Sequence, residues 1–264
     1  MRRHEKFILT PIVSIIEDGC YAMSLLDDGL ETFPLSEYMM QSLFLKMTGF
    51  QEQKVKCILW ELATDDFELR YRRFKKDSIG EASSYEDKVK VFNDLVKAVN
   101  EMSEGNYVLI TDAEREKIVR DTLKSMKELS EQSFMKGWSH RKYVEFEQLM
   151  GNCNKECLLF QSKKNYDFFN HCDNCSKRNE ARNIHICKRT TLKQVYEYVY
   201  MHRNRCAHNT VSYQQNLPCL DVLQDENYVF ENYFVRFALL MIIDKMFVLF
   251  FEKYIQFTPN KFLL

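Results

Sequence analysis

The chain predicts an all-α fold, a helical bundle, and three features of its 264 residues lead there. Glycine and proline are scarce, at seven and four, whereas the good helix formers Leu, Lys, Glu and Met are plentiful. Hydroxyl residues recur three positions ahead of Glu or Gln, just before apolar residues at helical spacing, which is the capping-box pattern. No Asn-Gly or Asp-Gly turn separates alternating apolar segments as a hairpin would need; the pairs at Asp18 and Asp28 sit in an N-terminal helical region. With 45% hydrophobic and 28% charged residues, the chain has the composition of a globular protein with a large core.

The elements follow in order. The apolar stretch 7–16 contains Pro11 and lacks a small-residue cleavage site, so it does not read as a signal peptide. Val55, Ile58, Leu59 and Leu62 give an amphipathic helix that can run on to Phe74. Trp60, Phe67, Tyr71 and Phe74 keep that helical spacing and read as core or dimer interface. Residues 78–84 are the best loop. Ser83-x-x-Glu86 opens a helix carrying Val89, Phe92, Val96 and Val99, and Thr111-x-x-Glu114 opens one carrying Ile118, Thr122, Met126 and Leu129. Residues 150–190 form a polar insertion rich in Cys, Asn and Lys. Thr191-x-x-Gln194 precedes Val195 and Val199. Residues 228–257 are apolar around most of the helix circumference and predict a central helix. Its stretch 237–251 is broken by Asp244 and Lys245 and falls short of the ~20 residues that span a bilayer. The reading is one domain, 1–264, with N-terminal helices over 1–149, the insertion over 150–190, and a C-terminal helix pair over 191–264.

Charge and cysteine content bound the setting. A net charge of −1 excludes a protein that binds nucleic acid through overall basicity. The cations are grouped instead: one run holds Arg70, Arg72, Arg73, Lys75 and Lys76, and is either a phosphate-facing surface or a solvated face. A second group, including Lys188, Arg189, Arg203 and Arg205, crowds the approach to residue 208 with few acids opposing it. Nine cysteines, an odd number, without an export signal suggest reduced thiols and a cytoplasmic protein without a membrane span. P-loop, dinucleotide-binding, zincin and hydrolase-elbow motifs do not occur. The acids Asp112, Glu114 and Glu116 with Lys117 read as surface charges of a capped helix. Asp65, Asp66 and Glu68 read likewise as a solvated face rather than a Mg²⁺ site.

Cys153-x3-Cys157 and Cys172-x2-Cys175 offer four thiolates from two short-spaced pairs, the donor set of a structural zinc site. The first pair is a residue wide for a zinc knuckle, and unliganded thiols are the alternative. Zinc there would fold a polar insertion that lacks a core of its own.

The densest chemistry lies at residues 203–208, Arg-Asn-Arg-Cys-Ala-His. RNA cleavage without a metal needs a cation for the phosphate and a group that moves protons near neutral pH. A guanidinium and an imidazole supply these. On an intact helix five residues advance roughly 500°, so Arg203 and His208 do not stack unless the helix ends between them or at Asn209. Arg203 as an ion-pair partner of Glu197 or of an acid on another helix is the structural alternative, with His208 as a helix C-cap side chain whose charged form the helix dipole favours.

This hexapeptide resembles the Arg-x(4–6)-His signature of the HEPN superfamily, with the polar Asn after the Arg and the Ala before the His. Tyr196, Tyr198 and Tyr200 give its helix an aromatic-rich face, and a loop and a long apolar terminal helix follow. The resemblance covers the last ~75 residues. It implies an all-helical domain that homodimerises so that two motifs share a cleft, and a metal-independent endoribonuclease of toxin–antitoxin, phage-defence or RNA-guided type. Arg203 would then hold the scissile phosphate, His208 act as general base or acid, and Asn204 orient one of them. Arg205, Lys188 and Arg189 would contact RNA. No cofactor is needed for catalysis on this reading, and an antitoxin or regulatory protein is the further partner it implies. Some members of the superfamily are non-catalytic and bind RNA, nucleotides or proteins.

Overall fold

A computed structural model describes residues 2–23, 33–80, 82–103, 110–132, 142–148, 192–208 and 232–258. Among these residues all regular structure is helical. In chain order the helices are α1 (Glu5–Leu9), α2 (Val13–Met23), α3 (Phe33–Asp65), α4 (Phe67–Tyr71), a π-helical turn (Arg72–Lys76), α5 (Tyr85–Met102) and α6 (Asp112–Gln132). They are followed by α7 (142–148), α8 (Leu192–His208) and α9 (Tyr233–Phe257).

Helix α9 is the axis of the bundle, as its all-round apolar sequence predicts. It packs against α1, α3, α5 and α6, and Phe237, Leu240, Phe247 and Phe250 are all buried. Phe92 of α5 meets Phe247 and Phe250 edge-on, with centroids 5.6 and 5.0 Å away. Each such buried ring contributes roughly 1.5–3 kcal/mol through area removed from water. The helix starts at Tyr233, where the Asn232 side chain accepts the Phe234 N–H at 2.9 Å. Asn232 also donates to the Lys142 carbonyl at 2.8 Å, which ties α7 to the start of α9. Asp244, which interrupts the apolar run, is buried and paired with Lys54 of α3 at 2.5 Å.

Helix α3 is far longer than the apolar spacing over 55–62 suggests. Met40, Phe44, Met47, Val55, Ile58 and Leu62 form one stripe, but Gln51 and Lys54 stand within it. Both are satisfied inside the protein: Gln51 donates to the Leu240 carbonyl at 2.9 Å, and Lys54 to the Thr10 carbonyl at 2.6 Å. Polar residues at core positions hid the stripe from a reading based on hydrophobicity. Helical structure does continue past Phe74, through the π-helical turn, with one break at Asp66, whose carboxylate caps α4 by accepting the Leu69 N–H at 3.0 Å.

Two capping predictions meet different outcomes. Thr111 and Glu114 form the reciprocal box, Glu114 N–H donating to Thr111 Oγ1 at 3.2 Å and Thr111 N–H to Glu114 Oε2 at 2.7 Å. Glu114 also holds Lys253 of α9 at 2.8 Å. In α5 the cap is Ser84, one residue later than the spacing to Glu86 predicts, and it accepts the Asp87 N–H at 3.1 Å. Ser83 instead lends its carbonyl to Tyr196 of α8. The Thr191 box, residues 228–231 and the insertion 150–190 lie outside the described residues.

The aromatics of α3 and α4 correct a further expectation. Trp60, Phe67, Tyr71 and Phe74 are 51, 77, 56 and 47% exposed, so they are not core. The inward positions of this segment belong to Leu69 and Arg73. Arg73 grips Asp94 of α5 with two bonds, at 2.7 and 3.1 Å. That pair, and Arg72 at 3.2 Å from Asp94, make part of the basic run structural. No helix among the described residues is long and apolar enough to cross a membrane.

Candidate functional site

Helix α8 runs unbroken through residue 208, and its last two turns carry the hexapeptide. Apolar and aromatic residues seat it: Tyr196 and Val199 are buried, and Tyr198 and Tyr200 pack against the core from half-buried positions. The three tyrosines are thus shared between two sides of the helix rather than forming one aromatic face. Helical register puts position 208 one turn beyond 204 and 205, whereas Arg203 lies roughly 140° round the axis from it. Within one chain, Asn204 and Arg205 share the side of position 208, and Arg203 does not. Residue 208 is described by its backbone alone.

Arg203 is half-buried and turned toward α3. Its Nη1 donates to Asn204 Oδ1 at 3.0 Å and its Nη2 to Glu52 Oε2 at 3.4 Å. The alternative of an ion pair to another helix is therefore realised, with Glu52 as the acid. The pair is long and the Arg203 side chain keeps 22% of its surface exposed. A guanidinium has five N–H donors, so these two bonds leave donors for a phosphate.

Beneath Arg203 lies a buried group that the motif does not announce. Lys88 of α5 is 2% exposed; it donates to the Ala82 carbonyl at 2.6 Å and lies 5.5 Å from the Tyr196 ring centroid. Burial pushes its amine down to about 7, against the opposing pull of Glu52 and Asp87 and with help from Arg203. Tyr196 donates its hydroxyl to the Ser83 carbonyl at 2.9 Å. Burial, and then Glu52, hold that phenol far above its ordinary range.

A second buried network begins one residue before Arg203, at His202, which is 7% exposed. Arg205 Nη2 lies 2.8 Å from His202 Nδ1. Since a guanidinium only donates, Nδ1 accepts and the proton sits on Nε2. His202 Nε2 then donates to the Tyr233 hydroxyl at 3.1 Å, and Tyr233 donates to Glu37 Oε1 at 3.1 Å. Burial, reinforced by Arg236 and Arg205, pushes His202 down to about 2, so it stays neutral at any physiological pH. His202 is therefore a structural imidazole and not a general base. The fully buried Arg236 backs the network, its guanidinium 5.1 Å from the Tyr233 ring centroid.

The structure thus brings Arg203, Asn204 and Arg205 together at the end of α8. Lys188, Arg189 and the cysteines Cys153, Cys157, Cys172 and Cys175 lie outside the described residues. Among the described residues no group of three or more His, Cys, Asp or Glu is placed to hold a metal ion. Asp65 is taken by Arg2 at 2.6 Å and by the Tyr254 hydroxyl at 2.5 Å, and Asp66 by its cap. Compared with known proteins, the chain matches no family model, no curated protein and no solved structure.

Sequence reasoning missed His202, Glu52, Lys88, Tyr233 and Glu37. A signal existed for one of them: His202 follows Val199 by three residues, on the buried side of the helix, where an unpartnered imidazole would be costly. Lys88 and Glu52 gave no local sign, because their burial is set by helices distant in sequence.

Proposed function

We propose that this chain is a HEPN-type, metal-independent endoribonuclease, working as a homodimer in the cytoplasm in a toxin or antiviral role. The observation that supports the reading best is the setting of Arg203 and Asn204. They lie in the last two turns of a helix backed by a buried polar network, with Arg203 still solvent-accessible and only loosely held by Glu52. A substrate phosphate can use the guanidinium donors that Asn204 and Glu52 do not occupy. In the reaction His208 of one copy takes the 2′-OH proton, O2′ bonds to phosphorus, and the P–O5′ bond breaks. His208 of the other copy protonates O5′, which leaves a 2′,3′-cyclic phosphate and a 5′-OH. One imidazole cannot be base and acid in the same step, and helical register separates Arg203 from position 208 within a chain; both considerations favour two copies. Zinc, if the four cysteines hold it, would support the fold of the insertion and take no part in this step. An antitoxin or regulatory protein remains the proposed restraint on the activity.

The test is cleavage of labelled RNA in EDTA by the parent, Arg203→Ala and His208→Ala. Cleavage by the parent alone, with 2′,3′-cyclic phosphate ends, is the expected result. General acid–base help of this kind is worth ~10²–10⁴-fold, so His208→Ala should lose at least two orders of magnitude. The Arg203–Glu52 pair also favours a second reading, a non-catalytic RNA-binding module in which Arg203 is structural. Equal RNA binding by all three proteins without cleavage would select it.

A further inference from the structure

The four exposed aromatics of α3, α4 and the π-helical turn are explained by neither the core nor the motif helix. Exposed apolar groups on this scale mark interaction sites when they are contiguous. Here Trp60 and Phe74 meet edge to face, centroids 5.9 Å apart at 87°, and Phe67 and Tyr71 follow α4 at i and i+4. The mount is rigid: Leu69 is buried beneath, and the Arg73–Asp94 bonds pin the turn to α5. The rings are therefore held in water rather than left there by a loose segment. A π-turn is itself frequent at functional sites.

Charge decides which partner fits. Arg70, Lys75 and Lys76 are exposed among the rings, and none has an acidic partner among the described residues. Most neighbouring acids are already engaged, Asp65 by Arg2, Asp66 by its cap, and Asp77 by Arg73. Glu68 is the remaining exposed acid. Aromatic faces interleaved with cations are what an unpaired strand needs, since bases stack on rings and phosphates seek the cations. A second copy would set three such cations on each side against one Glu68 on each side. A lipid surface would have to bury Asp66 and Glu68, the neighbours of Phe67, at its apolar boundary, a desolvation cost that a strand lying on the rings does not impose.

We propose that this platform binds single-stranded nucleic acid, with bases stacked on Trp60, Phe74 and Tyr71 and phosphates on Arg70, Lys75 and Lys76. Trp60 lies two turns from Glu52, about 12 Å along α3, with Lys56 one turn from each. A strand stacked on the platform is therefore led toward Arg203. The site does not depend on cleavage; a non-catalytic module would use it in the same way.

The experiment exploits the chain's two tryptophans, Trp60 and Trp138. In a Trp138→Phe background of the full chain, Trp60 is the only tryptophan and can be excited apart from the tyrosines. A 2′-O-methyl strand of roughly 12 nucleotides, long enough for such a site and not cleavable, is titrated in. Saturable quenching of Trp60 is expected, with binding about tenfold weaker for Phe74→Ala or Tyr71→Ala. Lys75→Glu with Lys76→Glu should lower the salt slope of binding by roughly 0.7 per lost phosphate contact. All these residues are exposed, so circular dichroism should match the parent. Absence of quenching, or strand binding indifferent to all four substitutions, overturns the proposal. So does a dimer by sedimentation that Phe67→Asp dissociates, or binding to anionic vesicles, where no strand binds. Because the strand cannot be cut, failure here and failure of the cleavage assay are separate results.

Discussion

Two ion pairs leave α3 only two residues apart, and they differ in kind. Lys54 reaches Asp244 of α9 at 2.5 Å, with both side chains almost wholly buried. Glu52 reaches Arg203 of α8 at 3.4 Å, with the guanidinium partly in water. In the first pair burial pushes the lysine down and the carboxyl up, and each partner's charge opposes that push in the other. Asp244 also accepts the Ile12 N–H at 3.0 Å, so one carboxylate fastens α9, α3 and the start of α2. The sealed pair can only be structural, since no ligand can reach it without opening the core. In the loose pair the guanidinium reaches water, so a ligand can approach it, as the phosphate contact proposed above requires.

The contrast can be broken or sharpened by experiment, beginning with the sealed pair. Asp244→Ala leaves Lys54 charged and unpaired in the core and should cost about 3–5 kcal/mol in urea unfolding. Replacing both members by apolar residues, Lys54→Met with Asp244→Leu, should recover most of that loss. A double variant as unstable as the single one would show that the carboxylate acts mainly through Ile12.

Lys88 extends the comparison to pH. Its folded-state value of about 7 lies below the ordinary 10.5. Between these values the unfolded chain binds the extra proton, so stability rises with pH through the window. The slope should approach 1.4 kcal/mol per pH unit, until tyrosine ionisation in the unfolded chain opposes it near pH 10. Urea titrations at pH 7, 8 and 9 should show this rise in the parent and a flatter profile in Lys88→Met.

Uncharged controls come from two helical glycines. A Cβ at Gly19 would fall 2.2 Å from Leu43 Cδ2 and 2.9 Å from its Cγ, so Gly19→Ala should destabilise by roughly 1–3 kcal/mol. A Cβ at Gly49, in α3, meets nothing within 4 Å, and Gly49→Ala should stabilise by about 0.5–1 kcal/mol. Thermal melts separate the two by sign. The loose pair should matter less than the sealed one: Arg203→Ala leaves the buried Glu52 carboxylate without its ion-pair partner and should cost roughly 1–3 kcal/mol, while the cleavage proposed above is lost. A loss as large as that of Asp244→Ala would make Arg203 a structural residue.

The sequence made some of this legible for identifiable reasons. Helix α9 was readable because its apolar character is continuous, and the Thr111–Glu114 box because both partners lie within one turn. Helix α3 was read only in its last third, since Gln51 and Lys54 look like surface residues until Leu240 and Asp244 are brought against them. The rings at Trp60, Phe67, Tyr71 and Phe74 had core spacing, yet spacing says which residues share a face and not where that face points. At the site, the Arg203 to His208 segment was visible as a motif. Its supports were not, because Glu52, Lys88 and Tyr233 come from three other helices. An ion pair to another helix was foreseen for Arg203 as an alternative, but its partner was not.

The hydrogen-bond chain from Arg205 through His202 and Tyr233 to Glu37 has an implication for assembly. A guanidinium has only donors and a carboxylate only acceptors, so the chain can be traversed in one direction alone. It works as a polarity key for three helices. Sliding α8 by one turn, about 5.4 Å, would part His202 Nε2 from the Tyr233 hydroxyl and strand both buried groups at roughly 1–3 kcal/mol each. Apolar packing tolerates repacking far better than that. The axial position of the motif helix is thereby single-valued before any ligand arrives.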